Sequence, residues 1–272
     1  MQYKTPLRYP GGKSRAMKFI GNRLPDEIVE YREPFLGGGS VALWVANAHP
    51  DAKIWVNDLY YNLFCFWTTL QQDPTYLVNE LTKIKQSIGD DGDLGRPVYK
   101  ELRQKINDPS TSVKDRAVYM FTLNRMSFSG LGEASGISVS AQKSNFNYNA
   151  INKLHTYSNI IKNWKITNID YRDMMRDNDP DAFIFLDPPY EIDSSLYGKG
   201  GKLHTDFDHD EFADACNTCT SRQFITYNSD QSVKKRFPTW SQEDWNLTYT
   251  MRSDPTYTDK QKQRKELILK NY

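Results

Sequence analysis

Short apolar runs alternate with amphipathic segments over much of the chain. The runs are rich in β-branched and aromatic residues, and stretches with helical spacing follow them, including the runs at residues 164–170, 182–190 and 222–228. Short strands separated by helices are typical of a mostly parallel sheet with helices on both faces. The predicted parallel strands are residues 29–33, 53–58, 164–170, 182–186 and 222–228.

Two segments depart from this alternation. Residues 240–253 and 264–272 have strand-like patterns without a helix between them, which fits an antiparallel hairpin at the edge of the sheet. Residues 71–159 contain three helical pieces and then residues 127–151, whose Gly, Ser and Asn content favours exposed loops and turns over packed core. We therefore expect an α/β fold, a Rossmann-like doubly wound mixed sheet, with a helical insertion that carries a loop or hairpin.

The length of 272 residues fits one domain with a smaller module inserted into it. The two halves of the catalytic domain are expected at residues 1–70 and 160–272, with the insertion at residues 71–159. Hydrophobic residues make up 38% of the chain and charged residues 25%, which argues against disorder. No apolar run reaches the roughly 18 residues of a membrane span, and the N-terminus lacks the apolar stretch of a signal peptide, so a cytoplasmic protein is expected.

Charge is unevenly distributed, although the net charge is only +1. Residues 114–165 carry seven Lys or Arg against two acidic residues, whereas residues 166–215 carry four against thirteen. The basic segment suits phosphate binding. Ordinary surface charge explains the pattern equally well when it is taken alone.

The three cysteines, an odd number, indicate a reducing compartment without a disulfide framework. Cys216 and Cys219 form a C-x-x-C pair, but a closed zinc site needs four ligands and the sequence has no second pair. Residues 208–221 have an amphipathic helical pattern with both cysteines near its end. We interpret the pair as partly buried helix residues and expect no metal site.

The strongest chemical signal is the Asp-Pro-Pro-Tyr sequence at residues 187–190, directly after a five-residue apolar run. Open α/β sheets bind ligands at the carboxyl ends of their strands, where this run would deliver Asp187. Pro188 and Pro189 stiffen the turn and lack backbone N–H groups, which leaves carbonyl oxygens free to accept. An adenine amino group needs this set: acceptors from Asp187 and the Pro188 carbonyl, and a stacking face from Tyr190.

Such acceptors have a chemical purpose. The amino lone pair of adenine is delocalised into the purine ring, so the nitrogen is a poor nucleophile. Acceptors outside the ring plane favour a pyramidal nitrogen and free the lone pair in the transition state. The alternative interpretation is a strand-ending Pro-Pro turn after a capping Asp.

A triple glycine, Gly37 to Gly39, follows a predicted strand and opens a predicted helix. Without Cβ atoms, these residues let a ligand approach the backbone closely. The pattern is neither the dinucleotide motif nor a P-loop, so neither NAD nor ATP is favoured. Asp58, about twenty residues further on at the end of a strand, is placed to bind a ribose.

Near the N-terminus, Gly11, Gly12 and Lys13 follow Tyr9. A surface turn would explain these residues when they are taken alone. The aromatic ring of Tyr9 also suits a sulfonium ligand, because cations rest favourably on aromatic faces.

In their order along the chain, with the cofactor motifs first and Asp-Pro-Pro-Tyr last, these motifs resemble the Dam-type (D12 class, alpha-group) DNA adenine-N6 methyltransferases over nearly the whole chain. The resemblance implies S-adenosylmethionine as cofactor, double-stranded DNA as substrate, base flipping, and a bacterial or phage-encoded enzyme that is a monomer without a metal. The cofactor-binding residues that it implies are Tyr9, Gly12, Lys13, Phe35, Gly37, Gly39, Asp58, Asp170 and Tyr171. The catalytic residues that it implies are Asp187, Pro188, Pro189 and Tyr190.

The family's recognition region resembles residues 124–133, followed by a Phe-Asn pair at residues 146–147. Phe128 stands where the family places an aromatic wedge beside the vacated base-pair site. Ser129 and Glu133 replace the asparagine and arginine that read bases in GATC-specific members, and an acid prefers the cytosine amino donor, which argues against a GATC site. The DNA-binding residues implied are Asn124, Arg125, Phe128, Ser129, Glu133 and Asn147.

Two other functions stay open at this point. One is a methyltransferase acting on RNA or a protein amide; enzymes that methylate glutamine side chains commonly begin this motif with Asn, so Asp187 argues against that. The other is a DNA-binding regulator that has lost catalysis, against which the intact Asp187, Tyr190 and glycine loop argue.

Overall fold

The computed structural model describes residues 4–9, 11–176, 178–191, 206–247 and 264–272. The strands are β1 (Glu30–Glu33), β2 (Lys53–Asn57), β3 (Lys165–Thr167), β4 (Ala182–Leu186), β5 (Arg222–Asn228), β6 (Ser241–Leu247) and β7 (Arg264–Lys270). They form one sheet in the order β3-β2-β1-β4-β5-β7-β6. The first five are parallel neighbours, and β7 runs antiparallel between β5 and β6. The predicted doubly wound mixed sheet and its edge hairpin are confirmed.

One helix of the described residues precedes β1, and the others lie between strands along the chain. They are α1 (Met17–Ile20), α2 (Ser40–Ala48), α3 (Tyr61–Gln72), α4 (Pro74–Ile88), α5 (Gly92–Lys105), α6 (Val113–Met126), α7 (Val139–Asn145), α8 (Tyr148–Asn152), α9 (Leu154–Ile161), α10 (His209–Thr218) and α11 (Gln231–Arg236). In the part of the chain that the structure describes, no helix combines the length and apolarity that a bilayer crossing requires.

The central strand β4 shows why its sequence is apolar at every position. Phe183 and Phe185 belong to one buried cluster, whereas Ile184 and Leu186 belong to another. Successive side chains of a strand point to opposite faces, so the two clusters lie on the two faces of the sheet. A strand covered on both faces is apolar without alternation, as β4 is.

The helical insertion shares its core with the sheet layer. Phe66 of α3 stacks on Phe121 of α6 with ring centroids 5.9 Å apart, and Phe146 packs against Phe121 at 6.4 Å. All three side chains are fully buried in the cluster that also contains Phe183 and Phe185. Residues 71–159 therefore form helices that are packed directly onto the rest of the protein.

The expectation that residues 127–151 form exposed loop was only half right. Two 3₁₀ turns and an isolated antiparallel bridge between Ser127 and Ile137 make a loop in the first part. The second part contains α7 and α8, and Phe146 between them is fully buried. Ser138 and Asn147 accept hydrogen bonds from backbone N–H groups in the first turns of these helices, so the polar residues that suggested a loop are helix caps.

Two further expectations meet different outcomes. The helix predicted after β3 is a single 3₁₀ turn, Tyr171–Met174, so that expectation was wrong. The amphipathic helix predicted around the cysteines is α10, which begins after Asp208 and buries Cys216 on its inner face. Cys219 follows the end of this helix, and both thiols are buried and free.

Candidate active site

The glycine loop between β1 and α2 is held in a conformation that only glycine adopts easily. Gly37 and Gly39 have φ values of +51° and +70°, in the left-handed region. A Cβ atom on Gly39 would lie 2.8 Å from the Trp67 ring, and one on Gly37 would lie 2.9 Å from the Tyr9 ring. Trp67 also donates a hydrogen bond from Nε1 to the Gly37 carbonyl oxygen at 3.1 Å. The predicted residues Tyr9, Gly37 and Gly39 thus lie together.

Asp58, at the end of β2, fixes the other side of this loop. Its carboxylate accepts hydrogen bonds from the backbone N–H groups of Gly37 at 2.8 Å and of Tyr60 at 2.9 Å. Burial raises the pKa of Asp58 to about 6, although these two donors act in the opposite direction. Each carboxylate oxygen keeps a further acceptor position, so the group can hold the loop and still bind a ligand hydroxyl.

Asn57 joins the ends of three strands beside Asp58. Its amide group donates to the carbonyl oxygens of Pro34 and Ile169 and accepts from the Ile169 N–H. The side chain is 1% exposed. The Asn-Asp pair therefore has two tasks, because Asn57 supports the architecture while Asp58 faces the cavity.

A cavity of about 340 Å³ lies at the carboxyl ends of the parallel strands. This volume falls within the roughly 300–1,000 Å³ typical of small-molecule sites. Its lining contains residues from every cofactor motif and from the Asp-Pro-Pro-Tyr segment. The predicted residues that line it are Tyr9, Gly12, Lys13, Phe35, Gly37, Asp58, Asp170, Tyr171, Asp187 and Pro189.

Asp187 follows β4 and is held by two neighbours. The ammonium nitrogen of Lys13 lies 2.7 Å from each of its carboxylate oxygens. The hydroxyl of Thr226, on β5, donates to Oδ1 at 2.7 Å. The Lys13 side chain is only 4% exposed, whereas the Asp187 side chain is 22% exposed, so the carboxylate remains reachable from the cavity.

Tyr190 lies half-buried next to Lys13 and close to Asp187 in the chain. Its ring is parallel to that of Tyr227, with centroids 5.8 Å apart and planes at 15°. The Lys13 ammonium lies 5.1 Å from the Tyr190 centroid. The hydroxyl of Tyr190 donates to the buried carboxylate of Glu266 on β7. The carboxylate, the cation and the aromatic ring thus form one compact cluster.

An aromatic wall closes the opposite end of the cavity. The Phe35 and Tyr171 rings lie 5.5 Å apart, and both contact Phe207. Asp170 begins the 3₁₀ turn that carries Tyr171, and an ion pair with Arg172 lowers the pKa of its carboxyl. This wall offers an apolar surface made of aromatic rings, with Asp170 beside it.

Sequence reasoning missed Glu33, the last residue of β1, which also lines the cavity. Its side chain is buried and accepts a hydrogen bond from the Tyr31 hydroxyl at 2.7 Å. Burial raises the pKa of Glu33 to about 8, and the negative charge of Asp187 adds to the effect. The available signal was an acidic residue at the carboxyl end of a strand, directly before the glycine loop.

The predicted DNA-binding residues differ in how they are placed. Phe128 is 48% exposed at the tip of the loop, and Ser129 beside it has a left-handed backbone with φ of +53°. Asn124 is 1% exposed and exchanges hydrogen bonds with the backbone of Arg8. Asn147 uses its side chain to cap α8.

The two charged residues of this set also contact protein. Arg125 donates to the Pro6 carbonyl oxygen. Glu133 accepts hydrogen bonds from the Tyr60 hydroxyl and from the Asn107 amide. Both donors to the Glu133 carboxylate belong to the protein, and the cytosine-reading role expected of Glu133 stays a prediction. The DNA-binding role of Arg125 stays a prediction as well.

Comparison with known proteins finds the same family that the motifs resemble. The sequence profile of the D12 class N6 adenine-specific DNA methyltransferases matches residues 9–263. The type II methyltransferase M.MjaIII of Methanocaldococcus jannaschii is 26% identical over 210 residues, 70% of each chain. The type II methyltransferase M1.LlaDCHI of Lactococcus lactis subsp. cremoris is 23% identical over 67% of this chain and 64% of its own. The type II methyltransferase M.CviBI of Paramecium bursaria Chlorella virus NC1A is 22% identical over 72% of each.

Proposed function

Because the chain belongs to the D12 class of N6 adenine-specific DNA methyltransferases, we propose that it methylates an adenine flipped out of duplex DNA, with S-adenosylmethionine bound in the glycine-loop cavity. The observation that carries this proposal is that one cavity is lined by the glycine loop, Asp58 and Asp187. A methyl donor and an acceptor amine held there would meet at the carboxyl end of β4.

The cavity fits the cofactor in its chemistry as well as its size. Asp58 has free acceptor positions for the ribose hydroxyls, and the Phe35–Tyr171 wall offers a face for the adenine ring. Asp170 and Asp208, whose pKa values are lowered by Arg172 and by backbone N–H donors respectively, give the cavity a negative lining that suits a cationic ligand. When bound, S-adenosylmethionine supplies an already activated methyl group on its sulfonium.

Asp187 serves the acceptor amine. An ionised carboxylate has about four acceptor positions. Lys13 contacts both oxygens and Thr226 contacts Oδ1, so acceptor capacity remains on Oδ2 for an amino N–H. Accepting from that N–H orients the nitrogen and stabilises the positive charge that develops on it during methyl transfer. Tyr190 provides the stacking face for the base.

DNA binding is proposed for the insertion and its loop. Extrusion of the base costs a few kcal/mol, and contacts of the basic segment at residues 114–165 with phosphates would offset that cost. The exposed Phe128 is suited to fill the space that the base leaves. We further propose that the protein acts as a monomer in the cytoplasm.

Transfer of a radiolabelled methyl group to DNA, RNA and protein, measured side by side, tests the proposal. We expect label in DNA, recovered as N6-methyladenine; label confined to RNA or protein would overturn it. Asp187→Ala should abolish methylation while DNA binding is retained. Asp181→Ala, at an exposed acidic residue just before β4, is the matched control and should methylate like the unmodified protein.

A further inference from the structure

Glu266 is an acidic residue in an otherwise apolar part of β7. It is 1% exposed, and the three residues that follow it, Leu267 to Leu269, are completely buried. Burying a carboxylate is costly unless hydrogen bonds compensate for the lost water. A residue that breaks the pattern of its strand at such a cost indicates a task beyond packing.

The position of Glu266 relates this task to the Asp-Pro-Pro-Tyr segment. Because β7 is antiparallel to β5, its beginning lies beside the end of β5, and Glu266 is paired with Asn228. Asn228 in turn accepts a hydrogen bond from the backbone N–H of Glu191 at 3.0 Å. The edge hairpin therefore reaches the chain directly after the catalytic motif.

The residue that binds Glu266 is Tyr190, whose ring is proposed to stack on the target base. The hydroxyl of Tyr190 donates to Oε2 of Glu266, and the ring lies flat against Tyr227. The stacking contact fixes the plane of the ring, and the hydrogen bond fixes its rotation and depth within that plane. Together the two contacts leave the ring one orientation relative to Asp187.

We propose that Glu266 is a positioning residue that sets the orientation and electron density of the Tyr190 ring for stacking on the target adenine; this inference rests on the proposed function. A phenol that donates to a carboxylate is richer in electrons than one that donates to water. The target base becomes positively charged as its nitrogen takes the methyl group, and a cation is attracted to an electron-rich aromatic face. The hydrogen bond thus favours the transition state over the bound substrate.

Three variants test the inference. Glu266→Leu removes the acceptor, Tyr190→Phe removes the donor and keeps the ring, and Glu266→Gln keeps a side-chain oxygen that can accept. Loss of a hydrogen bond to a charged group corresponds to about a tenfold loss of rate or more. We expect kcat for DNA methylation to fall about tenfold in the first two variants and to recover in large part with Glu266→Gln. The double variant Glu266→Leu/Tyr190→Phe should be no slower than either single variant, because both remove the same interaction.

A spectroscopic measurement separates positioning from a general loss of structure. DNA with 2-aminopurine at the target position becomes fluorescent when the base leaves the stack, and stacking on Tyr190 quenches it. Glu266→Leu should therefore give a brighter complex than the unmodified protein, with unchanged affinity for S-adenosylmethionine. Glu243→Gln, on neighbouring β6 and ion-paired with Arg23, is the control for a carboxylate change at the same edge of the sheet.

Failure of this inference can be told apart from failure of the proposed function. If the unmodified protein does not methylate DNA, the proposed function fails. If it does, and Glu266→Leu retains full kcat and unchanged fluorescence, the positioning role is overturned. Full additivity of the two single losses would overturn it as well.

Discussion

Lys13 and Asp187 form an ion pair in the lining of the cavity, with the ammonium nitrogen 2.7 Å from both carboxylate oxygens. The two residues are 174 positions apart in the chain. The N-terminal Gly-Gly-Lys segment, assigned from its sequence to the cofactor, therefore also contacts the proposed catalytic carboxylate.

Lys13→Met should reduce catalysis and not only cofactor affinity. Removing one partner of a largely buried ion pair leaves the other charge unpaired, at a cost of about 3–5 kcal/mol when burial is complete. The partial exposure of Asp187 moderates that cost, and we expect kcat at saturating S-adenosylmethionine to fall at least about tenfold. Single-turnover kinetics measure this. Lys18→Met, at an exposed lysine of α1, is the control; a rise in cofactor KM with unchanged kcat would show that Lys13 serves the cofactor alone.

The raised pKa of Glu33 predicts that stability depends on pH. Unfolded, this carboxyl titrates near its ordinary value of 4.5, whereas in the folded protein its pKa is about 8. Between these values the folded state holds a proton that the unfolded state has released, so the free energy of unfolding falls as pH rises. Glu33→Gln removes the effect and should therefore gain stability relative to the unmodified protein between pH 5 and about pH 8.

Urea unfolding at several pH values in that range measures the difference. Glu27→Gln, at an exposed glutamate before β1, should show no such trend. A stability difference between Glu33→Gln and the unmodified protein that stays constant with pH would contradict the assignment.

Parts of the fold and site follow directly from the sequence, and others do not. Strand β4 and the residues after it are local signals, because an apolar run and a Pro-Pro turn depend on neighbouring residues. The role of a buried acid such as Glu266 is not a local signal, because it depends on a hydrogen bond with Tyr190, 76 residues earlier in the chain. The helices α7 and α8 were missed because Ser and Asn favour turns and helix caps alike, and only packing of the following residues decides between them.

Glu133 is a second acidic residue whose role depends on a distant partner, because Tyr60 is 73 residues away in the chain. Its alignment with a base-reading position suggests contact with DNA, whereas its hydrogen bonds join it to Asn107 and to Tyr60, which lines the glycine-loop cavity. From the structure we expect Glu133→Ala to weaken cofactor binding and lower stability by about 1–3 kcal/mol, since Tyr60 and Asn107 lose their acceptor. The set of methylated sequences should not change.

Base-resolved sequencing of methylated DNA from cells that express each variant decides this question. Tyr60→Phe removes the same hydrogen bond from the other side and should reproduce the loss of cofactor affinity. A changed recognition sequence in Glu133→Ala, with cofactor affinity intact, would instead restore the base-reading role.

Gly39 offers a test of the cofactor loop with an internal control. An alanine in the left-handed region costs about 1–2 kcal/mol, and at Gly39 its Cβ would also lie 2.8 Å from the Trp67 ring. Because that ring is fully buried, it cannot move aside without displacing the core. Gly89 also has a positive φ, +50° with ψ of −135°, and a Cβ there would meet nothing within 4 Å. Gly89→Ala should therefore lose stability through its backbone alone and bind S-adenosylmethionine normally.

Gly39→Ala should bind the cofactor at least about tenfold more weakly, because the displaced loop shifts the Gly37 N–H away from Asp58. Urea unfolding shows that both variants fold, and calorimetric titration gives the affinities. Unchanged cofactor affinity in Gly39→Ala would mean that the contact with Trp67 does not constrain the loop.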